Sequence, residues 1–243
     1  MIQRHFCFIP CILVGKTCSA RYSGSKVIAF AVIQVAPRVL CSRPVIGRGL
    51  FVLSKGAGSM PFPKDHKYTA EEFFKLTAEN DDSKRYELIN GEILSQAAPS
   101  EIHQIIVMRA SNKIDNYILS NKGKCQVMIS PFDVVLDDHN LVQPDVIVIC
   151  DESKRDGKRC NGAPDFIIEV TSSNYGRDYI DKLDLYRKSG VREYWIVDPL
   201  YERIMVYFFE KSSSPYIYTF DMSVPVGIYD GKLNINFKEL IQQ

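Results

Sequence analysis

The chain lacks most of the features that assign a protein to a class at sight. Its two most apolar early stretches, residues 6–14 and 27–36, fall well short of the roughly 20 residues that a membrane-spanning helix needs, which excludes a membrane partner of that kind. Seven cysteines are an odd number, and none forms a Cys-x-x-Cys pair or a Cys/His ligand spacing. That pattern argues against a zinc site and against a disulfide framework, so reduced thiols and a cytoplasmic location are expected. No helix-turn-helix, zinc finger or other nucleic-acid reader is recognisable, and there is neither an internal repeat nor a low-complexity segment.

Acidic residues are missing altogether from residues 1–59, which carry eight basic ones. The remaining 184 residues hold 22 basic and all 29 acidic residues, a balance of −7, so the formal net charge of +1 conceals two different kinds of sequence. Residues 1–59 show no sustained helical or strand period. They fit a secretory signal or an organelle transit peptide loosely. The abrupt change at Ser59-Met60 favours a third reading, in which Met60 is the natural start and the domain is 60–243.

From Met60 onward the patterning is that of an ordinary globular domain. Thr69-Ala-Glu-Glu opens a short helix, and Asn90-Gly91 sits at the centre of a hairpin. Residues 102–119 repeat apolar positions with one buried stripe, which predicts a helix of four or more turns. Residues 130–136 and 141–150 predict a second hairpin around Asp137-Asp-His-Asn140, and residues 177–188 predict a helix stopped by Gly190. Strands are expected at 192–197 and 203–209, with short closing strands and a final helical turn after residue 216.

Two of these runs contain acids where acids are costly. Val142-Gln-Pro-Asp-Val-Ile-Val-Ile-Cys150 and Asp165-Phe-Ile-Ile-Glu-Val-Thr171 are short, β-branched and bounded by turn residues. A carboxylate buried in such a strand costs on the order of several kcal/mol unless it is compensated. Asp145 shares a strand face with Ile147 and Ile149, and Glu169 with Ile167 and Thr171, so neighbouring strands would let both acids converge on one cation. With Lys182 on the following helix, the set supplies two carboxylates and an ammonium, a minimum kit for holding a divalent metal and aiming a water at a phosphodiester. The plainer alternatives are a strand-entry Asp145, an edge carboxylate at Glu169 and a solvated Lys182 between Asp181 and Asp184.

From about Thr69 to Leu240 the chain resembles the Uma-two family of restriction-endonuclease-like proteins. The residues that carry the resemblance are Arg85-Tyr-Glu-Leu-Ile-Asn-Gly-Glu92, Pro99 with His103, Gln143-Pro-Asp-Val146, Ala163-Pro-Asp-Phe-Ile-Ile-Glu-Val170, Asp181-Lys-Leu-Asp-Leu-Tyr186 and Gly190-Val-Arg-Glu-Tyr-Trp-Ile-Val-Asp198. The family looks like a branch of the PD-(D/E)XK nuclease superfamily. The resemblance implies an α/β (α+β) fold, a mixed β-sheet flanked by helices with additional hairpins. It also implies a metal-dependent DNA endonuclease using Mg²⁺ or Mn²⁺, and allows a homodimer, since cutting both strands of a duplex often takes two active sites.

By position the resemblance makes Asp145 and Glu169 the metal-binding acids. The superfamily's lysine two residues after the second acid is absent, because Thr171 stands there, and Lys182 is the residue that matches a lysine recruited from the next helix. Glu87 is similar to an additional upstream acid, or else a cross-strand charge partner; His103 is a weaker candidate at the mouth of the site, or else a helix-start residue. Lys154, Arg155, Lys158, Arg159 and Arg177, with Arg187 and Lys188, would be the nucleic-acid contacts that an acidic core needs, or else ordinary solvated positions. Two rivals keep the fold: a catalytically inactive nucleic-acid or protein-binding module, and a metal-dependent hydrolase of non-nucleic substrates.

Overall fold

The computed structural model describes residues 62–63, 65–79, 84–171, 175–212 and 214–242, and within these the side chains of residues 175–179 are not described. Segment 1–59 and the boundary at Met60 lie outside the described residues.

Local chemistry fixes the first elements. Helix α1 (Ala70–Glu79) starts at a reciprocal cap in which Thr69 Oγ1 accepts from the Glu72 amide at 3.3 Å and Glu72 Oε2 accepts from the Thr69 amide at 2.8 Å. Strands β1 (Tyr86–Ile89) and β2 (Glu92–Ser95) are antiparallel, and Asn90 and Gly91 between them both have positive φ, 51° and 76°, as a type I′ turn requires. Helix α2 (Glu101–Ser120) is capped by Ser100 and buries His103, Ile106, Val107, Ala110, Ile114 and Ile118 along one stripe.

Five strands come next: β3 (Gln126–Ile129), β4 (Asp133–Asp137), β5 (Asn140–Val142), β6 (Val146–Ile149) and β7 (Arg159–Asn161). They lead to β8 (Phe166–Val170), helix α3 (Tyr175–Ser189), β9 (Glu193–Asp198), β10 (Arg203–Phe208) and β11 (Tyr216–Thr219). The tail supplies β12 (Ser223–Pro225), β13 (Asn234–Asn236) and helix α4 (Phe237–Gln242).

Among the described residues these strands form a six-stranded sheet in the order β11-β10-β9-β8-β6-β3, a five-stranded sheet β2-β1-β5-β4-β7 and the pair β12-β13. Within the large sheet only β8 and β9 run parallel, and α3 provides the crossover between them. The fold is therefore a mixed α+β arrangement with both faces of the large sheet covered. On one face Val146, Val148, Phe166, Ile168, Val170 and Trp195 pack with the α2 stripe and the C-terminal elements. On the other, Ile147, Ile149, Ile167 and Ile196 pack with Leu185 and Tyr186 of α3 and with Ile89, Val134 and Val142 of the smaller sheet. Burial on both faces explains why β6, β8 and β9 are nearly continuous apolar runs.

Two expectations need correction. Residues 141–150 are not one arm of a hairpin. Strand β5 pairs with β4 in the smaller sheet, whereas β6 pairs with β3 and β8 in the larger one. The chain changes sheets at Gln143-Pro144-Asp145, where proline has no N–H to continue a ladder.

The cysteines are not all reduced: Cys125 and Cys150 form a disulfide. Strand β3 carries no period strong enough to read, yet its register sets Gln126 opposite Ile149, and one step further along the same register the two cysteines face each other. Cys160 is free and buried. A cross-link spanning 25 residues contributes about 3 kcal/mol by restricting the unfolded chain. Replacing both cysteines by serine should lower the unfolding free energy by about that amount in urea denaturation; an unchanged midpoint would show that the bond contributes nothing.

Candidate active site

The sheet change at Pro144 places the first acid. The β6–β8 register pairs Val146 with Ile168, and continuing it by one residue sets Asp145 opposite Glu169. Residues directly opposite in an antiparallel pair project from the same face, so the two carboxylates lie side by side at the end of the sheet. A backbone amide ties them further: the Val170 N–H donates to Asp145 Oδ2 at 2.7 Å. The side chains of Asp145 and Glu169 are only 15% and 14% exposed.

The remaining groups arrive from three other elements. Glu87 reaches in from β1 of the smaller sheet, its Oε1 accepting from the Gln143 amide at 2.9 Å. Lys182 comes from α3. Its buried ammonium donates to Glu87 Oε1 and to Glu169 Oε1, each at 3.0 Å, and so bridges the two sheets. One helical turn later, at the i+4 position on the same face, the Tyr186 hydroxyl donates to Glu169 Oε1 at 2.7 Å. From the other side, His103 in the first turn of α2 brings its Nε2 to 3.0 Å from Asp145 Oδ2.

The structure thus gathers Glu87, Asp145, Glu169, Lys182 and His103, and it buries Lys182 where solvation was the alternative. Tyr186 is an addition. Its spacing from Lys182 was legible, but a tyrosine on an apolar helix face reads as core, and its ring does pack there. Arg85 is a second addition at this end of the sheet: it donates to Ser130 Oγ at 3.0 Å, and the Ser130 amide donates to the Asp145 carbonyl at 3.1 Å.

The basic residues of 151–164 are not brought to the acids. Lys154 and Arg155 come after the far end of β6 from Asp145, where the Lys154 ammonium caps the Ala163 carbonyl at 2.7 Å and Arg155 pairs with Glu152 at 3.6 Å. Arg159 lies on β7, three strands from Glu87 in the order β1-β5-β4-β7, roughly 14 Å at ordinary strand spacing. It pairs with Asp156 and covers the Phe74 ring, leaving Lys158 as the exposed member of the set. Arg187 and Lys188 stand in the last turn of α3, and Lys188 pairs with Asp184 at 2.6 Å. The Arg177 side chain lies outside the described residues.

Charge is the pocket's dominant problem. Among the described residues three carboxylates, Glu87, Asp145 and Glu169, gather around one ammonium, so negative charge is in excess when every acid is ionised. Burial pushes the Glu169 carboxyl up to about 7; Asp145 and Glu87 push the same way, against Lys182 and the Tyr186 hydrogen bond. Among the described residues no group of three or more His, Cys, Asp or Glu side chains is gathered closely enough to hold a metal ion by itself. Two oxygens are nonetheless uncommitted, since no hydrogen bond from the described residues reaches Asp145 Oδ1 or Glu169 Oε2. Buried atoms without a hydrogen-bond partner also collect here: His103 Nδ1, Gln143 Oε1 and Thr171 Oγ1. Gln143 and Thr171 each stand two residues from one of these acids in the chain.

Comparison with known proteins agrees with the architecture. The Uma2 family profile, described as "Putative restriction endonuclease", matches residues 70–219. The chain belongs to the Uma2 family. An uncharacterised Synechocystis protein is 28% identical over 152 residues, which is 61% of this chain and 76% of that one. The crystal structure of a protein from Anabaena variabilis, described as a "putative nuclease belonging to DUF820", superposes with a TM-score of 0.58 at 23% identity, covering 72% of this chain and 97% of the other. At that identity the likeness speaks for the fold. Among the described residues, no helix of this Uma2 protein is long and apolar enough to cross a membrane.

The charge balance yields a pH test. A carboxyl whose pKa is raised from 4.5 to about 7 on folding favours the folded state below 4.5, and that contribution is lost as pH rises through 7. Removing the Lys182 ammonium enlarges this loss, because Glu87 and Glu169 then face each other uncompensated. Lys182→Met should therefore cost about 3–5 kcal/mol at pH 8 and distinctly less at pH 5, where Glu169 holds a proton. Urea denaturation at the two pH values measures it, and equal losses would contradict the assignment.

Proposed function

We propose that this Uma2 protein is a metal-dependent endonuclease that hydrolyses phosphodiester bonds in DNA. The observation that carries the proposal is that, among the described residues, three acids gather around one ammonium while two carboxylate oxygens, Asp145 Oδ1 and Glu169 Oε2, stay uncommitted. A divalent ion supplies positive charge there, and magnesium or manganese, which take one or two protein carboxylates and fill the rest of their shell with water, suits a site with few preassembled ligands. Asp145 Oδ1 and Glu169 Oε2 would hold it, and the unpartnered His103, Gln143 and Thr171 atoms suit a hydrated surrounding. When bound, such an ion neutralises charge growing on the phosphate and lowers the pKa of a neighbouring water.

The chain's own residues account for the rest. Glu87 holds the Lys182 ammonium against Glu169, so a fixed positive charge stands beside the reacting phosphate and stabilises the attacking oxygen. This does the work of the missing lysine at position 171 from a helix instead of the strand. Tyr186 fixes the Glu169 carboxylate by holding Oε1, which leaves Oε2 for the ion. In the reaction, water adds to phosphorus, the bond to the leaving sugar oxygen breaks, and that oxygen takes up a proton. The balance of −7 over residues 60–243 limits long-range attraction of DNA, so contact relies on local groups such as Arg85 at the site end of the sheet.

One observation supports a second reading. Lys182 already bridges Glu87 and Glu169, and no group of three or more metal-ligating residues is assembled among the described residues. A binding module with no chemistry would look the same. Cleavage assays with supercoiled and linear DNA in Mg²⁺ or Mn²⁺ separate the two. Asp145→Ala and Glu169→Ala should abolish cleavage with unchanged far-UV circular dichroism. Wild-type cleavage should fall as the pH is lowered and Glu169 takes up a proton, with a midpoint that moves down as the metal concentration is raised. Cutting at the wild-type rate by either variant would end the nuclease reading.

A further inference from the structure

We infer that His103 is a positioning residue for Asp145, holding one carboxylate oxygen so that the other faces the cation; this rests on the metal-site reading above. The Ser100 hydroxyl caps α2 by accepting from the His103 amide at 3.3 Å, which sets the first helical turn and with it the imidazole. His103 is buried, with only 8% of its surface exposed. Its Nε2 lies 3.0 Å from Asp145 Oδ2, the same oxygen that accepts the Val170 amide at 2.7 Å. A bare ring nitrogen and a carboxylate oxygen would repel at that separation, so the proton resides on Nε2 and is donated to Asp145.

Two donors from two elements, α2 on one side and β8 on the other, therefore converge on Oδ2. Rotation of the carboxylate about Cβ–Cγ is fixed by this pair, and Oδ1, which accepts nothing from the described residues, is the oxygen left to bind an ion. An apolar side chain would fill the same volume without cost. Histidine instead brings a donor to Oδ2 and a second ring nitrogen, Nδ1, that no described residue satisfies. Positioning of a metal-binding group by an imidazole donor is the kind of support whose loss weakens metal binding by roughly tenfold to a hundredfold.

The test is isothermal titration calorimetry with MnCl₂ on the full chain, on three His103 variants and on Asp145→Asn. The Gln side chain carries its amide N–H near the position of Nε2, whereas Asn places it nearer Nδ1, and Leu fills the volume with no donor. His103→Gln should retain Mn²⁺ affinity within about threefold of wild type, while His103→Asn and His103→Leu should each lose roughly tenfold to a hundredfold. Equal affinities for Gln and Asn would overturn the inference, as would wild-type affinity in the Leu variant; if Leu fails to fold, the Gln/Asn contrast decides alone. A wild-type protein with no Mn²⁺ binding sensitive to Asp145→Asn would sink the metal site and this inference together. Normal wild-type binding that is indifferent to residue 103 would sink this inference only.

Discussion

The ammonium of Lys182, buried between Glu87 and Glu169, is the contact on which the rest of the site depends. It joins three pieces of chain that are far apart in sequence: a strand of the smaller sheet, a strand of the larger sheet and the crossover helix. A charge buried at this depth is tolerable only if its partners are held in place. Each partner has its own second anchor, Glu87 the Gln143 amide and Glu169 the Tyr186 hydroxyl. Asp145, at the point where the chain crosses from one sheet to the other, completes the cluster.

Electrostatics then connects architecture to chemistry. Among the described residues one ammonium faces three acids, and a largely buried cluster resolves such a surplus either by taking up a proton or by taking up a cation. Glu169, whose carboxyl burial pushes up to about 7, is the group at which the first response falls. A divalent ion is the second. Burial is the larger cause of the rise at Glu169, with Asp145 and Glu87 adding to it, and a proton on Glu169 occupies the carboxylate a cation would use, so protons and metal should compete for the site.

Much of this was legible in the residues. Acids interrupting β-branched runs at Asp145 and Glu169 marked both strands and singled out their acids, and Asn90-Gly91, Thr69 with Glu72, and Gly190 marked turns and helix ends through local chemistry alone. The unread parts depend on pairing across distance. Strand β3 has a weak pattern because it lies at the sheet edge with half its residues exposed, and without it the juxtaposition of Cys125 and Cys150 could not be seen. Pro144 was visible, but that it divides two sheets and not two halves of one strand depends on tertiary packing alone. Counting lysines and arginines in the loop after β6 likewise gave no hint that Lys154, Arg155 and Arg159 are engaged locally and stand away from the acids.

The proposed divalent cation between the cross-strand acids, at the end of the large sheet, is tested most directly by anomalous diffraction from a crystal soaked in manganese. The predicted result is a peak within coordination distance of Asp145 and Glu169 that disappears in Asp145→Asn crystals. Manganese absent from that position in an accessible, well-ordered site would contradict the proposal.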